Sequence, residues 1–441
     1  MISSISLRNF KLHASSAVVA APITVFIGPN NSGKSSVFQS LVLLKQAASA
    51  QGSHLTMPSM RQNTSPGQPF LYGVQQYIDV GNFEQIVRAG GDSLQIEVTG
   101  SFTNQGVSTL PKGGATVQFS VTVVRNELVN HQGSIAAHSP ALGTNPQIGW
   151  NWLKGQRLPQ ATPAWAAPGV VLRFESVPQF TLLRPGSVQL QQSLPNERIL
   201  ALNDVLQLVG TAPERLINTI HPIYSIRGLE ETAFPLTDQP PTTSEMMCIA
   251  DRTVALLSLL AYDTQLQERL AAWVEELVGI RIKVVLLPNR RVALLSDSSA
   301  GKMRSFSNEG TGSNQLPFIL VPIGLTPPSE TLFLSEPEAH LHPRAQVSLT
   351  ALLLEVAQRD DRQLFIETHS EHVLHAILYA VATGKLRTSD LAIYSFKNSS
   401  GTAEVTKLGV DEKGRVDGGL PGFFDQNLAE LSDYLEALKR S

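Results

Sequence analysis

ITVFIGPNNSGKSSVFQS, residues Ile23 to Ser40, joins a short apolar run, a glycine-bounded loop and a helix-forming segment without a gap. Gly28 and Gly33 enclose four residues, and Lys34 with Ser35 completes the pattern G-x-x-x-x-G-K-[ST] of a P-loop. Such a loop wraps phosphate oxygens with successive backbone N–H groups, and the following helix points the positive end of its dipole at them. The stretch therefore predicts a nucleotide site. The alternative is a chance match in an unrelated loop, and the strand–loop–helix order argues against it.

Two side chains of this loop have distinct expected tasks. Lys34 would reach the β and γ phosphates of a nucleotide, and the Ser35 hydroxyl would hold Mg²⁺. The glycines permit backbone conformations and a close approach that a side chain would block. We therefore expect a nucleotide with Mg²⁺ as the ligand of this loop.

Length and composition limit the classes of protein that remain. The chain of 441 residues is long enough for two or three domain-sized units, and its formal charge is −3. Cys248 is the single cysteine, which excludes an internal disulfide and a cysteine-built metal site. No run approaches the roughly 18 apolar residues of a membrane span, and the N-terminus lacks the layout of a signal peptide. We expect a cytoplasmic protein without a membrane partner.

Short apolar runs and helical patterns alternate on both sides of a less regular middle part. This order predicts an α/β fold with a mostly parallel sheet, supplemented by antiparallel strands over Ser93 to Val124. Residues Arg125 to Gly169 lose periodicity and are rich in Pro, Gly, Asn and Gln, which predicts an irregular surface excursion. Helical patterns follow over Glu245 to Ala261 and Gln265 to Val278. We expect one core split into residues 1–125 and 281–441, with an insertion over 126–280 that is irregular and then helical.

Three downstream stretches add polar residues near predicted strand ends. TLFLSEPEAHLHPR, Thr331 to Arg344, places Glu336 after a buried strand, where a carboxylate can polarise an attacking water or bind Mg²⁺ through water. LFIETHSEH, Leu364 to His372, places His369 at the next strand end, within reach of the γ-phosphate or that water. NEGTGSNQ, Asn308 to Gln315, is a glycine-rich turn that opens a helix and offers backbone N–H groups to an anion.

The order of these motifs resembles the ABC-type ATPase heads of the RecF, OLD and SMC-like group, often described as AAA family ATPases. The likeness covers roughly residues 1–90 and 290–430 and is closest to short members without a coiled coil. It implies a P-loop NTPase of the ABC-ATPase type, with ATP and Mg²⁺ as cofactors, Glu336 as the catalytic carboxylate and His369 as the switch histidine. The phosphate-binding residues that it implies are Asn30, Asn31, Ser32, Gly33, Lys34, Ser35 and Ser36.

The same resemblance implies partners. In this group the signature turn, here Gly310, Gly312 and Ser313, reaches the ATP of a second protomer, so a homodimer forms at least transiently. Compact heads of the group resemble ATPase components of bacterial phage-defence systems, which act with a separately encoded nuclease or toxin. They also resemble DNA-repair ATPases of the RecF kind. The expected partners are therefore a second copy of the chain, an effector protein, or double-stranded DNA.

The sequence departs from the family pattern at two positions. Two acids usually precede the proline of the EPEAHLHP stretch, and here the first of them is Ser335. A hydroxyl is a weaker Mg²⁺ partner than a carboxylate, so with Ser35 and Ser335 as the metal residues we expect weaker metal binding, slower turnover, or both. The serine that usually stands before Gln315 is replaced by Asn314, with Ser313 one position earlier. Slow hydrolysis would suit an ATP-locked sensor or scaffold better than a fast ATPase.

Two further groups of residues admit more than one interpretation. Glu338, His340 and His342 could form a metal cluster, or could shape the loop and the helix start. A basic run with one acid inside it could contact nucleic acid, or could be the solvated edge of a strand pair. The basic residues of that run are Arg281, Lys283, Arg290, Arg291, Lys302 and Arg304, and the acid is Asp297.

Overall fold

A computed structural model describes the chain over twelve ranges. These are residues 1–52, 83–103, 114–124, 127–138, 147–153, 160–163, 170–174, 185–190, 215–224, 228–241, 252–297 and 303–419. The first strands and helices in chain order are β1 (Ile2–Phe10), β2 (His13–Val19), β3 (Ile23–Ile27), α1 (Lys34–Gly52), α2 (Phe83–Ile86), β4 (Leu94–Thr103), β5 (Gly114–Val124), β6 (Glu127–His138), β7 (Gln147–Leu153), β8 (Gln160–Pro163), β9 (Val170–Phe174), β10 (Pro185–Leu190), β11 (Ile220–Ile223) and β12 (Phe234–Pro235). The later ones are α3 (Arg252–Tyr262), α4 (Thr264–Val278), β13 (Arg281–Leu287), β14 (Arg291–Asp297), β15 (Met303–Ser305), α5 (Thr311–Asn314), α6 (Leu316–Leu325), β16 (Thr331–Ser335), α7 (Pro343–Arg359), β17 (Gln363–Glu367), α8 (Glu371–Ala382), β18 (Leu391–Ser399) and β19 (Thr402–Leu408).

A six-stranded sheet with the order β11-β16-β17-β3-β18-β19 forms the centre of the fold. Its first five strands are parallel, and β19 is antiparallel at the edge. Every residue of β3, β16 and β17 is buried, as expected for parallel strands covered on both faces. The predicted α/β fold with a mostly parallel sheet is confirmed.

A seven-stranded antiparallel sheet with the order β2-β1-β4-β5-β6-β7-β8 lies beside this core. The antiparallel strands predicted after Ser93 are present as β4 and β5. The irregular excursion predicted over Arg125 to Gly169 is wrong in part, because β6, β7 and β8 continue the sheet there. Backbone pairing with a preceding strand defines these strands. The sequences of β6 and β8 lack the apolar alternation that sequence patterns detect. The strand β7 has such an alternation at Ile148, Trp150 and Trp152, and the sequence analysis missed it among the surrounding Gly, Asn and Gln residues. The expected boundary after residue 125 therefore separates two strands that pair with each other.

The helical part of the predicted insertion is present as α3 and α4. The α4 helix begins after Asp263, whose side chain accepts a hydrogen bond from the Leu266 backbone N–H at 2.9 Å, and it ends at Gly279 in the left-handed conformation. Its buried face carries Leu266, Leu270, Val274 and Leu277. The start of the pattern predicted from Glu245 lies outside the described residues, and α3 begins at Arg252 within it.

Gln363 joins the two large sheets. Its side-chain Oε1 accepts from the Ile2 backbone N–H at 2.7 Å, and its Nε2 donates to the Ile2 carbonyl at 2.7 Å. The same Oε1 accepts from the Thr331 hydroxyl at 3.0 Å. Because Gln363 and Ile2 are both buried, water does not replace these bonds. The first strand of the antiparallel sheet is thus fixed to the start of β17.

The Gln363→Leu variant leaves the Ile2 backbone groups buried without partners, so we expect a loss of about 2–4 kcal/mol in the free energy of unfolding. Urea denaturation monitored by circular dichroism measures it. The matched control is Gln265→Leu on the exposed side of α4, for which we expect a change of at most about 0.5 kcal/mol. Equal stabilities of the two variants would contradict the linking role of Gln363.

Candidate active site

The P-loop follows β3 and turns over the carboxyl end of the parallel sheet. Gly28 has a φ of 141°, and a Cβ at this position would overlap the backbone carbonyl of Phe396 on β18. Glycine is therefore required by both the conformation and the close approach. The Lys34 Nζ donates to the carbonyl oxygens of Gly28 and Pro29 at 2.9 and 2.8 Å. Its ammonium group lies inside the loop that the sequence assigns to phosphates.

His13 lies fully buried behind the P-loop. Its Nε2 is 2.9 Å from the carbonyl oxygen of Gly33, and its Nδ1 is 2.8 Å from the Ser16 Oγ. Because a carbonyl oxygen only accepts, Nε2 carries the proton, and Nδ1 of the neutral ring accepts from the Ser16 hydroxyl. Burial lowers the pKa of His13, and the hydrogen bond to Gly33 partly opposes that shift. A neutral imidazole thus ties β2 to the loop.

Glu336 and His369 approach each other at the ends of β16 and β17. The His369 Nε2 lies 3.4 Å from the Glu336 Oε1. Glu336 has a φ of 45°, and its backbone N–H donates to the Glu367 carbonyl at 2.8 Å. A non-glycine residue in the left-handed region is uncommon and is concentrated at functional sites. The sequence predicted both side chains for one site, and they lie together.

Glu367, the last residue of β17, belongs to this site although the sequence analysis did not single it out. Its side chain is buried, and its Oε1 accepts a hydrogen bond from the Ser35 hydroxyl. Its Oε2 accepts from the Ser335 hydroxyl at 3.1 Å. Burial raises the pKa of Glu367, while the Ser35 hydroxyl and the Lys34 ammonium oppose that shift. The available signal was its place one residue before Thr368-His369, at a strand end beside the P-loop.

Glu338 fixes the loop after β16 to the loop after β17. Its Oε1 accepts from the Thr368 hydroxyl, and its carboxylate also accepts from the His369 backbone N–H. Burial raises the pKa of Glu338 above its ordinary value, partly opposed by these hydrogen bonds. Ser370 caps α8 and donates from its hydroxyl to Gln346 on α7 at 2.6 Å. The turn that carries His369 is therefore held at both ends.

The predicted signature turn packs against the same loop from another side. A Cβ on Gly312 would overlap the His340 carbonyl, so the turn and the loop are in backbone contact. The Gln315 Nε2 donates to the Ala339 carbonyl. Asn314, which departs from the family pattern, accepts from the Leu229 backbone N–H at 2.9 Å and donates to its carbonyl at 3.1 Å. Asn314 therefore has a structural task here.

One pocket brings most of the predicted residues together. It is lined by P-loop residues 30–36, by Glu336 and His369, and by Lys11, Leu12, Gln39, Gln85 and Val87. The signature residues Gly310, Gly312 and Ser313 do not line it. Lys11, which the sequence analysis missed, donates from Nζ to the Gln39 Oε1 at 2.6 Å, and burial lowers its pKa.

The alternative metal cluster finds no support in the described part of the chain. No group of three or more His, Cys, Asp or Glu residues there has an arrangement that could hold a metal ion. His342 instead precedes α7 as its N-cap, with Nδ1 accepting from the Arg344 backbone N–H at 3.3 Å. None of the described helices has both the length and the apolar character needed to span a membrane.

The AAA ATPase domain family matches residues 1–108 and 264–374. The first part contains the P-loop, and the second contains the signature turn, Glu336, Glu367 and His369. Over these two parts the chain matches the AAA ATPase domain family. The predicted P-loop NTPase fold is thereby confirmed, and the second part begins with α4, ahead of the boundary expected at residue 281.

The comparison with solved structures finds SMC heads, each at low identity. The SMC head domain from Thermotoga maritima is 11% identical with a TM-score of 0.40, covering 93% of this chain and 99% of that chain. An SMC head with an extended coiled coil bound to the C-terminal domain of ScpA from Pyrococcus furiosus is 11% identical with a TM-score of 0.44, covering 99% of each chain. An SMC head bound to the C-winged helix domain of ScpA is 11% identical with a TM-score of 0.47, covering 93% and 98%. No curated protein matches the sequence significantly.

The buried His13 of the ATPase domain makes its stability depend on pH. The pKa of His13 in the folded chain lies below the ordinary value of about 6.5. Below about pH 6.5 the unfolded chain therefore binds more protons than the folded chain, and the free energy of unfolding decreases as the pH is lowered. We expect His13→Gln to lower stability near pH 7.5 and to reduce the further loss at about pH 5.5. Urea denaturation at both pH values measures this. The buried His221 contributes to the pH dependence of both the wild type and the variant, so only part of that dependence should be lost. An unchanged pH dependence in the variant would contradict a neutral, buried His13.

Proposed function

We propose that the chain binds and hydrolyses ATP as a homodimer and couples its nucleotide state to a partner. The observation that carries the proposal is the shared pocket, in which Glu336 and His369 face the P-loop residues 30–36. The match to the AAA ATPase domain family supports the same activity. ATP is the expected nucleotide, and its phosphates are the expected ligands of the loop amides and of Lys34.

Three side chains of the pocket can each take a separate role in the transfer of the γ-phosphoryl group to water. The Glu336 carboxylate can orient a water and accept its proton during attack on the γ-phosphoryl group. The His369 imidazole, 3.4 Å from that carboxylate, can donate a hydrogen bond to the same phosphate or to the water. The Lys34 ammonium offsets charge on the β and γ phosphates.

The residues present also fit a magnesium ion. The Ser35 hydroxyl and the neighbouring Glu367 carboxylate are oxygen groups of the kind that Mg²⁺ takes as ligands or as partners of its bound waters. When bound, Mg²⁺ would neutralise the charge that builds on the phosphate oxygens during transfer. Ser335 contributes a hydroxyl without formal charge, and it donates to Glu367.

Replacing Glu336 by Gln removes the base and keeps the size of the side chain. We expect ATP turnover to fall on the order of 10²- to 10⁴-fold while ATP still binds. Phosphate release and binding of a fluorescent ATP analogue measure the two quantities. The control is Glu355→Gln on the exposed side of α7, which lies outside the pocket. Unchanged turnover in Glu336→Gln would refute the assignment of the base.

The place of the signature turn supports a dimer. Gly310, Gly312 and Ser313 do not line the pocket of their own chain, although the family pattern assigns them to nucleotide. Their turn contacts the loop at Ala339 and His340, which continues from Glu336. A second copy with the opposite orientation would bring this turn to the other nucleotide, so each pocket is completed by its partner.

We expect Glu336→Gln to form an ATP-dependent dimer, because ATP remains bound between the two copies. Light scattering with size-exclusion chromatography should give twice the monomer mass with ATP and the monomer mass without it. Adding Ser313→Glu places a carboxylate at the expected phosphate contact and should abolish the dimer. The matched control is Ser389→Glu on an exposed turn outside the signature turn. Dimer formation that survives Ser313→Glu would contradict this interface.

The partner we propose is a separately encoded effector such as a nuclease or toxin, acting in the cytoplasm in bacterial phage defence. The resemblance of compact heads to such systems supports this role. A RecF-like role on double-stranded DNA receives less support, because arginines of the basic run are paired with acids. Arg281 lies 2.8 Å from Glu275, and Arg290 lies 2.6 Å from Asp238. Turnover stimulated by double-stranded DNA would favour the DNA role instead.

A second candidate is an ATP-locked sensor or scaffold that hydrolyses slowly. Ser335 is the observation that favours it, because it offers a neutral hydroxyl where heads of this group usually carry an acid. ATP turnover of Ser335→Asp compared with the wild type separates the candidates. A large gain in turnover would indicate that the natural site is weakened for slow hydrolysis, and no gain would favour the active ATPase.

A further inference from the structure

Glu367 lies where the ends of three parallel strands converge. Its strand, β17, runs between β16 and the P-loop strand β3. In the register of the sheet, Glu367 is paired with Ser335 on one side and with Phe26 on the other. The carboxylate that is missing from the end of β16 is therefore present one strand nearer to the P-loop.

Both oxygens of this carboxylate face hydroxyl groups. The Oε1 accepts from Ser35, the P-loop residue expected to hold the metal, and the Oε2 accepts from Ser335 at 3.1 Å. The residue is only 1% exposed. Hydroxyls supply hydrogen bonds but no formal positive charge, and a buried carboxylate is costly unless a cation lies close. The Lys34 ammonium contributes such a charge, and a bound divalent cation would contribute more.

The direction of the Ser35 hydrogen bond bears on metal binding. When the Ser35 hydroxyl donates its proton to Glu367, the lone pairs of its oxygen are left for a cation. A carboxylate behind a ligand fixes its orientation and raises its basicity, which strengthens the metal bond. The other acids of the site make different contacts, since Glu336 approaches His369 and Glu338 accepts from Thr368.

We propose that Glu367 is the acidic positioning residue of the Mg²⁺ site, acting through Ser35 and replacing the acid that position 335 lacks. Ser335 then serves to hold the Glu367 carboxylate rather than to meet the metal. This inference rests on the proposed ATPase site and adds the residue that tunes its metal affinity. It also explains how a chain with serine at position 335 retains a carboxylate beside the P-loop.

The test uses Mn²⁺ as a spectroscopic substitute for Mg²⁺. Free Mn²⁺ is measured by electron paramagnetic resonance while the ion is titrated into full-length protein with a non-hydrolysable ATP analogue. We expect Glu367→Gln to weaken Mn²⁺ binding roughly 10- to 100-fold. Binding of the analogue in the presence of EDTA should be unchanged. The matched control is Glu355→Gln, an exposed acid on α7 outside the pocket, which should keep the Mn²⁺ affinity of the wild type.

A second set of variants keeps the test decisive if Glu367→Gln does not fold. Ser335→Asp alone places a second carboxylate beside Glu367 and should tighten Mn²⁺ binding. Combined with Glu367→Gln, it should restore most of the affinity lost by Glu367→Gln. Wild-type Mn²⁺ affinity in Glu367→Gln, or in Ser335→Asp if the first variant does not fold, would overturn the inference. Loss of turnover in Glu336→Gln together with unchanged Mn²⁺ affinity in Glu367→Gln would leave the ATPase standing and remove only this role.

Discussion

The site depends on the register of three neighbouring parallel strands, β16, β17 and β3. This register places Ser335 beside Glu367 and Glu367 beside Phe26. Because the strands end at the same level, their loops leave the sheet together and meet over one pocket. A slip by one residue would turn Glu367 to the other face of the sheet, away from Ser35. Buried rings hold the register, since Phe333 and Phe365 stack with centroids 5.0 Å apart.

The loop after β16 joins the nucleotide pocket to the signature turn. At its start Glu336 faces the pocket, and two residues later Glu338 accepts from Thr368 next to His369. At its end the backbone lies against the signature turn, where a Cβ on Gly312 would overlap it. Closely packed segments are hardly compressible, so a shift of the loop is transmitted to the signature turn. A displacement of this loop by a bound nucleotide would therefore move the surface that we propose for the second protomer.

The parts of the site that the sequence predicts are those whose residues lie close together in the chain. The P-loop is a contiguous pattern, so its strand, loop and helix were predictable within one stretch. Glu367 was not, because its task arises from lateral pairing with Ser335 and contact with Ser35, far away in the chain. The strands β6 to β8 were missed for a related reason, since each is defined by pairing with the strand before it more than by its own composition. Likewise, the pairing of Arg281 with Glu275 is visible only once α4 and β13 are placed together.

The serine at position 335 and the glutamate at position 367 are electrostatically compatible neighbours in a buried site. Two carboxylates at these paired positions would lie within about hydrogen-bond distance of each other and would repel in a buried site whenever a cation is absent. A serine beside the glutamate replaces that repulsion with a hydrogen bond, so the metal-free chain is not destabilised there. The remaining carboxylate still contacts Ser35, through which it can act on a cation. The serine that weakens the family pattern is therefore the partner that allows Glu367 to be buried beside the P-loop.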